Sequence, residues 1–188
     1  MIEVELKVKV DREEVEDLSH KLRDLGFKRC RIVEEIDTYF NGIDRDFRET
    51  DEALRVRESI DLEKGERRYY LTYKGPKLDS ISKTREEYQV GMENGDTTKT
   101  ILEKLGFKKI PPIRKVREIY RKGDILVSID RVEGIGYFLE CEKSVKSKSE
   151  KEDAIGELMD LIRSLGLDKK ELIRASYLEL RDSYEEKG

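Results

Sequence analysis

Charged side chains recur at every second position in several segments that have the alternating pattern of β-strands. Near the amino terminus Glu3, Glu5 and Lys7 alternate with apolar residues, and Arg55 and Arg57 do the same in a later segment. Because successive side chains of a strand point to opposite faces, each such set shares one face. On a single strand this pattern is typical of a solvated face. Its repetition on several strands predicts a common charged surface.

The residues on these faces divide into acids and bases of nearly equal number. The bases are Lys7, Arg55, Arg57, Lys74, Arg85, Lys115 and Arg117, and the acids are Glu3, Glu5, Glu87, Asp130, Glu140 and Glu142. If a sheet closes with these side chains inside, they must pair or bind a ligand, since an unpaired buried charge is costly. Mutual neutralisation is one interpretation.

The order of the two signs along the chain favours a ligand instead. The acids cluster in the pairs Glu3/Glu5 and Glu140/Glu142 near the two ends of the chain, and the bases lie between them. Carboxylate pairs are hard oxygen ligands suited to Mg²⁺ or Mn²⁺, and clustered arginines and lysines suit phosphate oxygens. A metal-bridged polyphosphate would satisfy both sets.

Eight predicted strands would position these side chains. Period-two alternation places them near residues 1–10, 30–40, 53–60, 67–75, 83–92, 113–122, 125–132 and 135–144. Eight mostly antiparallel strands are enough to close a barrel. The predicted fold class is therefore α+β, a closed eight-stranded antiparallel β-barrel with helices packed outside.

Three helices are predicted between these strands. Their N-terminal capping signals are Asp11, then Asp96 or Thr97, and then Ser149. Each helix ends in a glycine followed by an apolar residue, the pattern of a Schellman cap. No low-complexity linker divides the chain, so one domain is expected over residues 1–188, with a core over 1–180 and a frayed tail over 181–188.

Composition excludes several classes of protein. The 188-residue chain has 39 Lys and Arg against 43 Asp and Glu, a net charge of -4, and is 44% charged, whereas about 25% is average. Such balance argues against a nucleic-acid coat and against a single-sign disordered tail. Neither a membrane span nor a signal peptide is indicated. We expect a cytoplasmic protein, monomer or homodimer, with no nucleic-acid or membrane partner.

The charged segments together resemble the CYTH superfamily, whose members include class IV adenylyl cyclases, thiamine triphosphatases and inorganic triphosphatases. The resemblance rests on Glu3-x-Glu5-x-Lys7, Leu54-Arg55-Val56-Arg57, Lys74, Arg85-x-Glu87, Lys115-x-Arg117, Asp130 and the segment 134–142. It implies a triphosphate tunnel, an eight-stranded barrel with helices outside. The first residues and Asp37-Thr38-Tyr39-Phe40 are most similar to the class IV cyclase-like branch.

The resemblance also implies roles for individual residues. Divalent metal would be held by Glu3, Glu5, Asp130, Glu140 and Glu142, and the phosphate chain by Lys7, Arg55, Arg57, Lys74, Arg85, Lys115 and Arg117. Tyr39 matches a tyrosine that in some triphosphatases pairs with the first-strand lysine, here Lys7, to activate water. Gln89 stands where many members carry a glutamate, which leaves Glu87 a second-rank metal ligand.

Two reactions would fit one tunnel, and they differ in the phosphorus that is attacked. In a cyclase the ribose 3′-hydroxyl of ATP attacks the α-phosphorus, and in a triphosphatase water attacks the terminal phosphorus. The prediction is a class IV adenylyl cyclase that forms cyclic AMP and pyrophosphate. Hydrolysis of inorganic or organic triphosphate, such as thiamine triphosphate, is the alternative, and a non-catalytic binder of nucleotides or polyphosphate is a third possibility.

Overall fold

Nine strands form the sheet in the computed structural model, which describes residues 2–188. They are β1 (Ile2–Val10), β2 (Lys28–Asn41), β3 (Ala53–Asp61), β4 (Arg67–Lys74), β5 (Arg85–Met92), β6 (Lys108–Lys109), β7 (Ile113–Lys122), β8 (Ile125–Val132) and β9 (Gly136–Val145). Eight of them match the predicted strands to within a few residues, and β6 has no predicted counterpart. Residue 1, the start of the predicted strand 1–10, lies outside the described residues.

Eight of these strands close into a barrel with antiparallel neighbours throughout. The order around the barrel is β1, β9, β8, β7, β2, β3, β4 and β5, and β5 returns to β1. The last contact is short, because only Ile2 and Glu3 of β1 face Glu86 and Arg85 of β5. The predicted α+β fold with a closed eight-stranded antiparallel barrel is confirmed.

Four helices pack outside the barrel wall or across one end of it: α1 (Glu14–Asp24), α2 (Gly95–Lys104), α3 (Lys151–Ser164) and α4 (Tyr177–Lys187). The first three end in Schellman caps, as predicted. At the end of α1 the amides of Gly26 and Phe27 donate to the carbonyls of Arg23 and Leu22, both at 2.9 Å. Gly26 has φ +87°, a left-handed conformation that a side chain disfavours.

The N-terminal caps differ from the prediction. Asn94, whose backbone is extended, caps α2 by accepting from the Thr97 amide, so neither Asp96 nor Thr97 is the cap. A short 3₁₀ turn, Lys148–Glu150, precedes α3 and delays its start, which leaves Ser149 inside the turn. At α1 the N-cap position is Glu13 rather than the predicted Asp11, and no side chain caps the helix; the Asp11 amide donates to Glu14 Oε2 at 2.7 Å.

Strand β1 is buried on both faces. On its outer face Val4, Leu6 and Val8 belong to the large apolar cluster that includes residues of α1 and α3. On its inner face Glu5 and Lys7 are only 4% and 1% exposed. The apolar core therefore lies between the barrel and its helices, and the barrel interior, here called the lumen, is left to charged side chains.

Helix α4 includes most of residues 181–188, the segment expected to be a frayed tail. The helix continues to Lys187, and Arg181 donates from Nη1 to the Pro111 carbonyl at 2.7 Å. Lys9 Nζ donates to the Tyr184 hydroxyl at 2.9 Å. These contacts tie the helix to one end of the barrel, where Tyr177 packs on Phe138 with ring centroids 5.1 Å apart.

Candidate active site in the barrel lumen

A cavity of about 970 Å³ occupies the lumen, and nearly all the predicted site residues line it. They are Glu3, Glu5, Lys7, Tyr39, Arg55, Arg57, Lys74, Arg85, Glu87, Lys115, Arg117, Glu140 and Glu142. The lumen location follows from the strand period, since these residues share the inward parity of their strands. Asp130 is absent from the lining, because its side chain is fully buried in the wall.

Asp130 is held by two partners. Arg117 donates to both of its oxygens, at 2.7 Å from Nε and 2.6 Å from Nη2, and the Tyr177 hydroxyl donates to Oδ2 at 2.6 Å. Arg117 also donates to Glu140 at 2.7 Å. Burial and the nearby Asp130 carboxylate raise the pKa of the Tyr177 hydroxyl well above its ordinary value. In this arrangement Asp130 fixes Arg117 and Tyr177.

Two acids of β2 that were not predicted as site residues face inward: Glu35 lines the cavity, and Asp37 is buried in the wall beside it. Arg57 donates to both Asp37 oxygens at 2.7 Å, and Lys115 Nζ lies 3.3 Å from Glu35 and 3.2 Å from Asp37. Burial would raise the pKa of Glu35, but Arg57 and Lys115 outweigh it and lower that pKa to about 2. Their sequence signal was their alternation with Tyr39 on one strand.

Lys7 lies at the α4 end of the lumen. Its ammonium donates to the Ala175 carbonyl at 3.0 Å, lies 3.3 Å from Glu140, and sits 3.8 Å from the centre of the Tyr177 ring. Burial and the nearby Lys83 charge lower the pKa of Lys7 to about 7, against the opposing effect of Glu140. Lys7 is therefore positioned by α4 and the segment preceding it.

Tyr39 shares the cavity with Lys7 but belongs to a different part of its wall. It lies opposite Arg55 in the ladder between β2 and β3 and packs against the apolar cluster of Ile113, Val132 and Phe138. Within residues 2–188, no hydrogen bond joins Tyr39 to Lys7. Their predicted cooperation in activating water stays a prediction.

The bases of the lumen differ in how firmly they are held. Arg57 and Arg117 make two-pronged contacts with buried aspartates. Arg55 has only a 3.4 Å contact to Thr72 and a 3.8 Å approach to Asp37, and its buried Nε has no hydrogen-bond partner. Arg85 is also loosely held, 3.4 Å from the Gly75 carbonyl and 3.7 Å from Asp51.

Three carboxylates of β1 and β9 form the acidic side of the lumen. Glu3 pairs with Lys74 at 2.8 Å and Glu5 with Lys83 at 2.9 Å. Glu142 faces Glu5 across the strand ladder, and among residues 2–188 no cation lies within 4 Å of it. Burial and the neighbouring Glu3 and Glu5 charges raise the pKa of Glu142 to about 8.

The donor chemistry of this carboxylate group suits a divalent metal. Mg²⁺ and Mn²⁺ prefer such carboxylate oxygens, and Glu142 carries no cationic partner among the described residues. In the present arrangement, however, no three His, Cys, Asp or Glu side chains of residues 2–188 are close enough together to form a metal site. Instead, Lys74 forms an ion pair with Glu3, and Lys83 forms one with Glu5.

Lys83 and Glu87 complete this side of the lumen. Lys83 was not among the predicted site residues, although it shares the inward parity of Arg85 and Glu87 in the predicted strand 83–92; the structure places it in the loop just before β5. Glu87 contacts Lys74 at 3.0 Å, and the attraction of that lysine lowers the pKa of Glu87 to about 2 in spite of burial. Gln89 accepts a hydrogen bond from Thr72 at 2.9 Å.

A closed barrel with a charged lumen is the architecture expected of the CYTH family, and the family model for the CYTH domain matches residues 1–177. The chain belongs to the CYTH family. It is 52% identical over 181 residues to a protein of Methanocaldococcus jannaschii that carries the provisional name adenylate cyclase, covering 96% of this chain and 99% of that protein.

Solved structures with the same fold include proteins with different descriptions. A Pyrococcus horikoshii protein is 38% identical with a TM-score of 0.87, covering 97% of this chain and 99% of the other. A Hippeastrum protein, described as a provisional adenylyl cyclase with a dominant triphosphatase activity, is 20% identical with a TM-score of 0.67, covering 97% and 95%. The second likeness shows the fold alone.

No helix within residues 2–188 combines the length and the hydrophobicity that a membrane-spanning segment needs.

Proposed function

We propose that this chain is a metal-dependent enzyme that converts ATP to cyclic AMP and pyrophosphate in the barrel lumen. The observation that carries the proposal is the pairing of loosely held buried arginines with an acidic group in one cavity. Arg55 has an unpartnered buried Nε, and Glu142 has no cation within 4 Å among residues 2–188. A lumen with unsatisfied groups of both signs suits a phosphate chain together with a metal ion.

The size and lining of the cavity support a nucleoside triphosphate as the substrate. About 970 Å³ lies at the upper end of the range for small-molecule sites. Beyond the charged residues the cavity is lined by Tyr70, Ile119 and Leu126, which provide apolar surface of the kind that a nucleoside requires. Inorganic triphosphate would have no use for this surface.

The residues of the chain divide the work as follows. Arg55 and Arg85, with Lys7, Arg57, Lys74, Lys115 and Arg117, would bind the phosphates and hold the α-phosphorus in line with the ribose 3′-hydroxyl. Glu3, Glu5 and Glu142 would hold Mg²⁺ or Mn²⁺. Glu140 and Asp130, which were also predicted as metal ligands, would instead position the bases, Glu140 by pairing with Lys7 and Asp130 by pairing with Arg117. A bound metal would offset the charge that develops on the phosphates during attack. The 3′-oxygen would form a bond to the α-phosphorus, the bond from that phosphorus to pyrophosphate would break, and the proton of the 3′-hydroxyl would pass to solvent.

Hydrolysis of a triphosphate is the second candidate, because Tyr39 lines the same cavity as Lys7. There water would attack the terminal phosphorus and orthophosphate would leave. Lys7 contacts Ala175 and Tyr177 rather than Tyr39, so among the described residues the pair that would activate water is not formed, and hydrolysis ranks second.

Product identity tests the proposal. ATP, tripolyphosphate and thiamine triphosphate are supplied separately with Mg²⁺ or Mn²⁺, and the products are resolved by chromatography. Cyclic AMP with equimolar pyrophosphate is expected from ATP, and chelator should abolish its formation. Orthophosphate as the sole product from ATP would show that the enzyme hydrolyses ATP and does not cyclise it. Binding without any product would leave a non-catalytic module.

A further inference from the structure

Two lysines of the lumen sit on the carboxylates that are proposed to hold metal. Lys74 Nζ lies 2.8 Å from Glu3 Oε1, and Lys83 Nζ lies 2.9 Å from Glu5 Oε1. Lys74 and Lys83 are also lining residues of the phosphate cavity. Each ammonium group can therefore reach either a carboxylate or a ligand in the cavity. In the present structure each ammonium group is paired with a carboxylate.

Lys83 can change its partner without moving the barrel wall. Its backbone amide donates to the Glu5 carbonyl at 3.1 Å, which fastens the loop residue to β1. Its side chain is buried, with about a tenth of its surface exposed, and ends at Glu5. Rotation of that side chain alone would move the ammonium away from the carboxylate, because the backbone anchor is independent of it.

The acidic group would then be left short of positive charge. Glu142 lies opposite Glu5 and has no cation within 4 Å among the described residues. If Lys74 and Lys83 turned towards phosphate, Glu3, Glu5 and Glu142 would stand together without cations. Clustered carboxylates repel one another, and a divalent cation relieves that repulsion.

We propose that Lys83, together with Lys74, is an internal counter-ion that blocks the metal carboxylates until a triphosphate binds and draws the ammonium groups away. The inference rests on the proposed function and adds an order to it. Triphosphate and metal bind cooperatively, and by thermodynamic reciprocity each raises the affinity for the other by the same factor. Lys83 is thus a positioning residue of the metal site, and the site forms only on the loaded enzyme.

Metal binding without any phosphate tests this proposal. Binding of Mn²⁺ to the full chain is measured by electron paramagnetic resonance for the unmodified protein and for Lys83→Met. Loss of one charge-assisted contact of the competing lysine should tighten Mn²⁺ binding about tenfold or more. An unchanged Mn²⁺ affinity in Lys83→Met would overturn the proposal.

Two control variants distinguish loss of the contact between Lys83 and Glu5 from loss of a positive charge elsewhere in the protein. Lys170→Met removes a lysine whose Nζ also lies 2.9 Å from a glutamate, Glu14, but outside the lumen, and it should leave Mn²⁺ affinity unchanged. Lys115→Met removes a charge from the lumen that pairs with Glu35 and Asp37. A gain in Lys115→Met equal to that in Lys83→Met would contradict the specific role of Lys83.

A measurement on the unmodified protein covers the case in which Lys83→Met does not fold. Tripolyphosphate is titrated in the presence of chelator, with binding followed by calorimetry and the Glu5 side-chain carboxyl carbon followed by NMR. Binding with a shifted Glu5 signal is expected. Binding with an unmoved Glu5 signal would overturn the counter-ion role alone, whereas absence of binding would contradict the proposed function itself.

Discussion

The four predicted arginines among those that line the lumen differ in their partners. Arg57 and Arg117 each hold a buried aspartate with two hydrogen bonds. Arg55 and Arg85 have contacts of 3.4 Å or longer. The first two stabilise the fold and shape the site, and the second two keep donors available for a ligand.

Substitution should separate these two kinds. Arg55→Ala should weaken tripolyphosphate binding by about 1.5–3 kcal/mol, the value of one charge-assisted contact, with little change in the free energy of unfolding. Arg117→Ala should destabilise the protein by about 3–5 kcal/mol, because Asp130 would be left buried without its cation. Calorimetric titration and urea unfolding measure the two effects. Equal stability losses in both variants would contradict the division.

The buried carboxyl of Glu35 predicts sensitivity to acid. Its pKa is lowered from 4.5 to about 2 in the fold, so the charged form stabilises the native state. This stabilisation is fully present above the unfolded pKa and is lost as the pH falls from about 4.5 towards 2. Glu35→Gln should reduce stability at neutral pH and flatten this acid limb, as measured by urea unfolding at a series of pH values.

Glu13 is exposed, so Glu13→Gln is the matched control for Glu35→Gln. This variant should lose stability at acid pH as steeply as the unmodified protein does. An acid limb of unchanged steepness in Glu35→Gln would show that this carboxyl does not contribute to it.

At the scale of elements, the strand order has a twofold pattern. Exchange of β1 with β5, β2 with β7, β3 with β8 and β4 with β9 leaves the order of neighbours unchanged. A helix follows β1 and another follows β5, and each ends in a Schellman cap. Helix α4 stands outside this pattern and covers one end of the lumen.

The hold of α4 on the barrel depends on its N-terminal cap. The Ser176 side chain accepts from the Glu179 amide, and the Glu179 carboxylate accepts from the Ser176 amide, which completes a capping box. Ser176→Ala should cost about 1 kcal/mol and speed hydrogen exchange of the amides in 177–187. Ser149→Ala, at a position where no helix is capped, should leave exchange unchanged. Equal exchange in the two variants would contradict the role of the cap.

At the scale of the whole molecule, the barrel wall separates two interiors. The outer one is apolar and lies between the barrel and α1 and α3, where Leu22 and Leu158 are fully buried. The inner one is charged and carries the candidate site. Activity is therefore expected from the inner interior, whereas stability is expected from the outer one and from the buried ion pairs of Arg57 and Arg117.

Two substitutions should show this separation. Leu158→Ala should cost about 2–5 kcal/mol of unfolding free energy through the cavity that it leaves. Glu142→Ala should abolish turnover without destabilising the protein, because it removes a buried carboxyl whose charged form is disfavoured by burial and by Glu3 and Glu5. Urea unfolding and the product assay measure both. A strongly destabilised Glu142→Ala protein would contradict the separation.

The sequence by itself determined the strands, the barrel and most of the lumen residues. Strand periodicity is local, and it shows which side chains share a face without reference to any other element. The glycines after α1, α2 and α3 likewise mark helix ends through their own backbone preference. The resemblance to the CYTH family then indicated the triphosphate tunnel and its candidate residues.

The tertiary structure alone decided how these charges are partnered. Periodicity shows that Arg55 and Arg117 face inward. It does not show that Arg117 is held by Asp130, or that the buried Arg55 Nε has no hydrogen-bond partner. Tyr177 reaches the lumen from α4, outside any strand period, and Lys83 reaches it from the loop that precedes β5. Ion pairs depend on the register of strands far apart in the chain and on the path of loops, so they emerge only when the barrel closes.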